Sequence, residues 1–455
     1  MGKINYFFKP KSVAIIGASR DQKKIGHVVF RNFVKGTFNG KVFPVNTKAK
    51  KILGRKCYPN VTDIKEKIDL AIISVPAEYV PKTLEECGKK RIPAAVIISG
   101  GFGEIGNKTL EEKVEKIIKK YRIRVIGPNC LGVFDPETGV DTVFLPRFKL
   151  ERPKPGGIAF ISQSGAVGSV VLDWMARKGY KISKFVSYGN AIDVDEADLM
   201  EYLIEDKKTD VVCAYFEGVK EGRKFLEITR KIAGKKPIIV LKAGVTEAGT
   251  KAVSSHTGSL AGSFEIYSAA FKQAGVLQAN DVEELFDFAR TLSSQPIPKG
   301  DRVQIITDGG GFGVLLSDNL IENGLRLASM KKTTIDDLRK HMPSHVVLKN
   351  PIDLTGDADN ERYQKAIDAA LKDPNVDMIG LIVLLQVPRL EAEIVETIMN
   401  AFKASEKPIF VISAGGDYTE VLKKTLEDAG IPTFSYPQNA AKAMRVLYEF
   451  GQEAK

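Results

Sequence analysis

The chain has 455 residues, too many for one compact core, and its 44% hydrophobic and 27% charged residues belong to a folded protein, not a disordered one. The formal charge is +11, but the lysines are interleaved with glutamates, as in "KTLEECGKKR". No arginine-rich stripe with interleaved aromatics points to nucleic acid. No apolar run is long enough to span a bilayer and the first residues lack a signal-peptide layout, so a soluble, cytoplasmic chain is expected, with neither nucleic acid nor membrane as partner.

Short β-branched runs alternate with amphipathic stretches from one end to the other. "SVAIIGAS", "DLAIISVP", "AAVIISGG", "GIAFISQSG", "DVVCAYFEG", "KPIIVLKAG", "VQIITDGG" and "KPIFVISAG" read as strands. Strands alternating with helices predict an α/β fold of doubly wound parallel sheets, with ligands at the carboxyl ends of the strands.

The first unit, 1–150, opens "VAIIGASRDQKKIGHVVFRNFVKG", a strand–glycine–helix turn that places N–H groups and a helix N-terminus beside phosphate. The spacing is not G-x-G-x-x-G, and "VFPVN" puts Asn46 where an acid would hold the ribose of NAD. A nucleotide-like ligand other than NAD is expected. The four cysteines, Cys57, Cys87, Cys130 and Cys213, are scattered and read as reduced thiols.

Next comes an internal repeat. "IAFISQSGAVGSVVLDWMARKGY" (158–180) aligns without gaps with "VQIITDGGGFGVLLSDNLIENGL" (303–325). "GNAID" (189–193) resembles "KNPID" (349–353), and "KKPIIVLKAG" (235–244) resembles "EKPIFVISAG" (406–415). Two copies of one fold are expected, 153–295 and 300–455, bounded by the proline- and glycine-rich "LERPKPGG" and "SSQPIPKGD".

In the first copy Ser162, Gln163, Ser164 and Gly165 end a strand and open a helix, a good site for one small oxyanion. The second copy has Asp308 there, which would repel phosphate, so that copy reads as structural. After "KAG" the first copy inserts "VTEAGTKAVSSHTGSLAGS", absent from the second, with His256 among small residues. Glu217, after an apolar strand, could accept one ring N–H of His256 and leave the other nitrogen as nucleophile. A mobile loop with an incidental histidine, and an ordinary strand-end acid, are the alternatives.

In the second copy His341 and His345 have the spacing of a metal pair, but Pro343 lies between them and no acidic partner follows. Both read as surface residues, and no metal site is expected. No G-x-x-x-x-G-K-[ST] loop occurs and nothing resembles an ATP-grasp domain, so any nucleotide is expected on another chain.

Taken together, "IGASR", "FPVN", "SVPAEYV", "SGGFGE", "GPNCLG", "SQSGAVG" and "SSHTGSLAGS", in that order, resemble the α subunit of ADP-forming acetyl-CoA synthetase, a relative of succinyl-CoA synthetase, over essentially the whole chain. The resemblance implies an N-terminal Rossmann-like CoA-binding domain followed by two flavodoxin-like, succinyl-CoA synthetase-like domains. It implies an acid–thiol ligase that converts acyl-CoA, phosphate and ADP reversibly into acid, CoA and ATP, through an acyl phosphate and a phosphohistidine. CoA would lie along Gly17, Ala18, Ser19, Arg20, Lys48, Val75, Pro76, Ile98, Ser99 and Gly100, with its thioester toward Asn129. Phosphate would bind at Ser162, Gln163, Ser164 and Gly165, and His256, assisted by Glu217, would carry the phosphoryl group. Magnesium and ADP/ATP would bind an ATP-grasp β subunit in an α₂β₂ assembly. A non-catalytic acyl-CoA sensor and an NAD-linked oxidoreductase are the alternatives. The retained His256, Glu217 and SQSG oppose the first, and Asn46 and the glycine spacing oppose the second.

Overall fold

A computed structural model of the chain describes residues 2–232, 234–257 and 263–453, and the side chains of 254–257 and Glu453 lie outside that description. The chain divides into two compact bodies, Met1–Val282 and Glu283–Lys455.

The first body holds two sheets. One is entirely parallel, in the order Lys41–Val45, Ser12–Ile16, Leu70–Ile73, Ala94–Ile97, Arg124–Ile126. Its strands are apolar and buried along nearly their whole length, as strands covered by helices on both faces must be. The strand order reverses between Ser12–Ile16 and Leu70–Ile73, which opens a crevice at their carboxyl ends.

The second sheet runs Leu277–Ala279, Ile238–Lys242, Val211–Phe216, Pro155–Ser162, Ile182–Ser187, and is extended by Gly132–Asp135 and Val140–Asp141. That last hairpin, grouped by sequence with the first unit, pairs antiparallel with Ile182–Ser187, Phe134 opposite Phe185. One hydrophobic cluster, from Phe7 and Val13 through Val133 to Val276, runs through both sheets. The two expected units, 1–150 and 153–295, thus share a core.

Lys184 shows how firmly the hairpin is joined. It is buried with Asp206 at 2.5 Å and Asp135 of the hairpin at 3.7 Å, its ammonium over the ring of Phe8. At the joint between the sheets, Arg124 binds Asp193 at 2.9 Å and Asp198 at 2.5 Å, and Lys224 binds Asp195 and Asp198.

The second body repeats the second sheet's order: Ile352–Asp353, Arg302–Thr307, Met378–Ile382, Ile409–Ile412, Thr433–Phe434. It has its own core, from Ile306 to Ile431. Register confirms the repeat: Ile158 faces Val211 as Val303 faces Met378, and Val212 faces Ile238 as Ile379 faces Ile409. The likeness of "GNAID" to "KNPID" is not positional. Ser162 faces Ser187 while Thr307 faces Asp353, so Asp353 takes the place of Ser187, not of Asp193. The helix Val282–Ser294, expected in the first copy, lies at the start of the second body.

The inserted stretch of the first copy forms the helix Glu247–Thr257, ahead of Phe264–Gln273, where the second copy has the single helix Asp417–Asp428. His341 and His345 are exposed, His345 lying 3.3 Å from Asp357. Among the described residues no helix is long and apolar enough to cross a membrane.

Candidate active site

The parallel sheet brings the residues expected to hold CoA onto one edge. Gly17, Ala18, Ser19 and Arg20 follow Ser12–Ile16, and Lys48 follows Lys41–Val45. Val75 and Pro76 follow Leu70–Ile73, Ile98 to Gly100 follow Ala94–Ile97, and Asn129 follows Arg124–Ile126.

Short bonds tie these loops to one another. Asn46, which lacks the acid that NAD would need, uses its amide structurally: it donates to Ala18 O at 2.8 Å and accepts from Lys48 N and Ala49 N. Buried His27 holds Ser19 O at 2.8 Å. Asn129 N donates to Ser99 O at 2.9 Å. Gly17 has a left-handed φ of 95°, and a Cβ there would lie 2.7 Å from Ser74 O, so only glycine fits the turn.

A cavity of about 920 Å³ joins the end of this edge to the second sheet. Gln163, Ser164 and Gly165 line it, together with Asn129, Cys130, Leu131, Asn190, Glu217 and Lys220. The helix Gly165–Arg177 starts here, capped by Ser164, whose Oγ accepts from Val167 N at 3.3 Å. The first N–H groups of a helix have no intrahelical partner, and its N-terminus carries partial positive charge. A Cβ on Gly165 would meet nothing nearer than Leu131 at 3.7 Å. Packing does not demand glycine there, and its smallness leaves room in the cavity.

Ser162 stands apart from the other three. It is fully buried, and its hydroxyl donates to Ser164 O at 2.7 Å, shaping the turn from behind the cavity. Gln163 has two tasks. Its Oε1 accepts from Glu217 N at 2.8 Å and Gly218 N at 3.1 Å, which leaves its NH₂ as a donor. In the second copy Asp308 takes the first task, accepting from Leu384 N at 3.0 Å, and burial pushes its carboxyl up to about 6. The divergence between the copies thus preserves the strand tie and removes the amide donor.

Glu217 is buried at the cavity wall, and its carbonyl accepts from Lys242 Nζ at 2.9 Å. His256 lies in the last turn of the helix Glu247–Thr257, its side chain outside the described residues, so its approach to Glu217 is not described. The described part of that helix lies alongside the turn Gly103–Ile105 at the cavity rim.

Several lining residues, Asn190 in "GNAID", Glu104 in "SGGFGE" and Cys130 in "GPNCLG" among them, carry no role that the sequence alone assigns. Asn190 donates to Glu104 Oε2 at 2.7 Å and Glu111 Oε2 at 3.0 Å, and accepts from Asn129 at 3.3 Å. Burial alone would raise the Glu104 carboxyl, but Gly101 N–H and the Asn190 amide outweigh it and hold it below the usual range. Lys220 Nζ donates to Asn190 O at 2.5 Å. Burial pushes the thiol of Cys130 up to about 12, so no competing thiolate faces the cavity.

Three family models cover this architecture: a CoA binding domain over 11–136, a succinyl-CoA ligase like flavodoxin domain over 155–292, and a ligase-CoA domain over 303–454. The chain is 43% identical to acetate–CoA ligase [ADP-forming] II subunit alpha of Pyrococcus furiosus, over 99% of this chain and 98% of that one. The chain belongs to the ADP-forming acetate–CoA ligase family.

Acetate–CoA ligase [ADP-forming] of Methanocaldococcus jannaschii, another member, is 43% identical over 98% of this chain, which spans 63% of that longer one. Among solved structures, an acetyl-coenzyme A synthetase 1 of Candidatus Korarchaeum cryptofilum, in complex with phosphate and ADP, matches with a TM-score of 0.95 and 37% identity. The match covers 100% of this chain and 98% of that one.

In this family member one buried acid close to the site titrates within a useful range. Burial pushes the Glu196 carboxyl up to about 7, and it accepts from Lys220 N at 3.3 Å. The native state therefore binds its proton more tightly than the unfolded chain does. Stability falls as pH rises from about 4.5 to 7 and then levels, a total cost of about 3 kcal/mol. Glu196→Gln keeps the acceptor and removes the charge. It is expected to raise stability in urea melts at pH 8 by about 2–3 kcal/mol, and by less than about 1 kcal/mol at pH 5.

Proposed function

We propose that the chain is the α subunit of an ADP-forming acyl-CoA synthetase: acyl-CoA, phosphate and ADP give acid, CoA and ATP, reversibly. The observation that carries this reading is one cavity lined by the end of the CoA-type edge at Asn129, the helix start at Ser164 and Gly165, and the carboxylate wall at Glu217.

CoA lies along Gly17–Arg20, Lys48, Val75–Pro76 and Ile98–Gly100, its diphosphate beside the glycine turn and its thioester at Asn129. Phosphate sits on the N–H groups at Gly165, with the Ser164 hydroxyl and the Gln163 amide, and Ser162 shapes the turn. A phosphate oxygen attacks the thioester carbonyl. The C–S bond breaks, CoA leaves as thiolate and takes up a proton, and an acyl phosphate remains. The neutral imidazole of His256 then attacks phosphorus, and the carboxylic acid leaves as its anion. Glu217 accepts the other ring N–H and stabilises the imidazolium as it forms. The helix N–H groups oppose the charge that builds on the phosphoryl oxygens.

The phosphoryl group passes to ADP on a separate ATP-grasp β subunit, which also holds magnesium, in a cytoplasmic α₂β₂ assembly. The name "subunit alpha" of the Pyrococcus relative, and the longer single chain of the Methanocaldococcus relative, support a partner.

Incubation of the chain with acetyl-CoA and inorganic phosphate, alone and with the β subunit, is expected to add one phosphate by intact mass. The addition is acid-labile and absent from His256→Ala. CoA binding with no phosphate gain from any acyl-CoA, with the β subunit present, would favour the sensor instead.

A further inference from the structure

We propose that Leu131, Phe144 and Leu145 form the acyl subsite of this cavity and restrict it to uncharged acyl groups whose bulk Phe144 and Leu145 limit; the inference rests on the function proposed above. Position comes first. Phosphate at the helix start must lie within about 3–3.5 Å of the carbonyl carbon it attacks. CoA's sulfur arrives from the Asn129 side, so the acyl substituent is left against the side chains near Gly165. Leu131 is the side chain closest to Gly165's absent Cβ, at 3.7 Å, and Phe144 and Leu145, both half-buried, line the same cavity.

The chemistry of that wall is apolar. The cations of this stretch are committed elsewhere, since Arg147 and Arg152 both bind Asp141, at 3.0 and 3.2 Å; of the two lysines that line the cavity, Lys220 binds Asn190 O and Lys108 stands on the helix Lys108–Tyr121 with the lining carboxylates Glu111, Glu112 and Glu115. A second carboxylate on the acyl chain, as in succinyl-CoA, would lose its water there with no partner on this wall.

The wall is also fixed. Asp141 is fully buried beneath it and Arg152 nearly so. From that pair Arg152 donates to the carbonyls of Val143 at 3.2 Å, Leu145 at 3.0 Å and Leu150 at 2.8 Å. Thr142 Oγ1 donates to Leu131 O at 3.0 Å and so ties the two pieces of wall together. A wall whose backbone is held this way reads acyl size, where one methylene is worth about 10- to 200-fold.

The test is single-turnover release of free CoA from acetyl-, isobutyryl-, phenylacetyl- and succinyl-CoA with phosphate, by the full chain assembled with its β subunit. Wild type is expected to cleave the uncharged thioesters and leave succinyl-CoA intact. Phe144→Ala should raise phenylacetyl over acetyl turnover about tenfold or more. Leu145→Arg should gain succinyl-CoA cleavage by a similar factor. Phe148→Ala, whose ring is 77% exposed and lies off the cavity, should change neither ratio. CoA affinity, measured by calorimetry, should be equal in all four and so certifies folding. Unchanged ratios in both wall variants, or wild-type preference for succinyl-CoA, would overturn the subsite alone. A wild type that cleaves no thioester would overturn the function, and the subsite with it.

Discussion

Glu217→Gln is expected to slow phosphorylation of His256 from acetyl-CoA and phosphate by about 100-fold or more, with CoA affinity unchanged. Two anchors of this residue lie on its backbone: Gln163 holds its N–H at 2.8 Å and Lys242 holds its carbonyl at 2.9 Å. The substitution keeps both of these backbone anchors and the size of the side chain, and removes the carboxylate's charge. Without that charge the imidazolium forms in a poorly solvated site with no counter-ion, a cost felt in the transition state and not in substrate binding. Quench-flow mass spectrometry with saturating acetyl-CoA measures the rate, and calorimetry measures the affinity. A variant within about threefold of wild type would remove Glu217 from the reaction. A variant that also loses CoA binding would show a structural role.

Lys184→Met is expected to destabilise the first body by about 3–5 kcal/mol. Both members of its pair are nearly inaccessible, 3% for Lys184 and 4% for Asp206, so truncation leaves a carboxylate in apolar surroundings with the Thr209 hydroxyl at 3.0 Å. Asp135 loses its only described cation at the same time. The double variant Lys184→Met/Asp206→Leu should recover most of the loss, because no charge is then stranded at Asp206. Trp174, the only tryptophan, lies in the first body and reports its unfolding alone.

The acid side of the same pair has a definite sign. Burial raises the Asp206 carboxyl, but the hydrogen bond and charge of Lys184 prevail and hold it below its ordinary value. Its contribution is complete above about pH 4 and is lost as pH falls through the lower native value. Asp135 shifts the other way, since burial exceeds what the more distant lysine returns. Acid melts of wild type should therefore lose the Asp206 contribution below about pH 4, and the double variant should not.

Much of this protein was set by its order of residues alone. Apolar runs of strand length, alternating with amphipathic stretches, require parallel sheets, because no other arrangement buries both kinds of surface. The repeat was visible because two copies of one fold need the same buried positions at the same spacing, as in 158–162 and 303–307. The turn at Gly17 and the helix start at Gly165 were legible because glycine is required locally in one and leaves room for a ligand in the other. Tertiary structure decided what depended on distant neighbours. It moved the hairpin at 132–141 into the second sheet, where Phe134 pairs with Phe185 of a strand far along the chain. It turned the Ser162 hydroxyl inward and gave Gln163 a structural bond, which short-range spacing cannot show. Asn190, whose repeat segment gave no hint of this site, and Phe144 and Leu145, on a loop with no motif of its own, reach the cavity held by Glu104, Glu111 and Arg152. A bond between residues 86 apart, such as Asn190 to Glu104, leaves no trace in either local sequence. The turns of the candidate site were thus local, and the walls of its cavity came from packing.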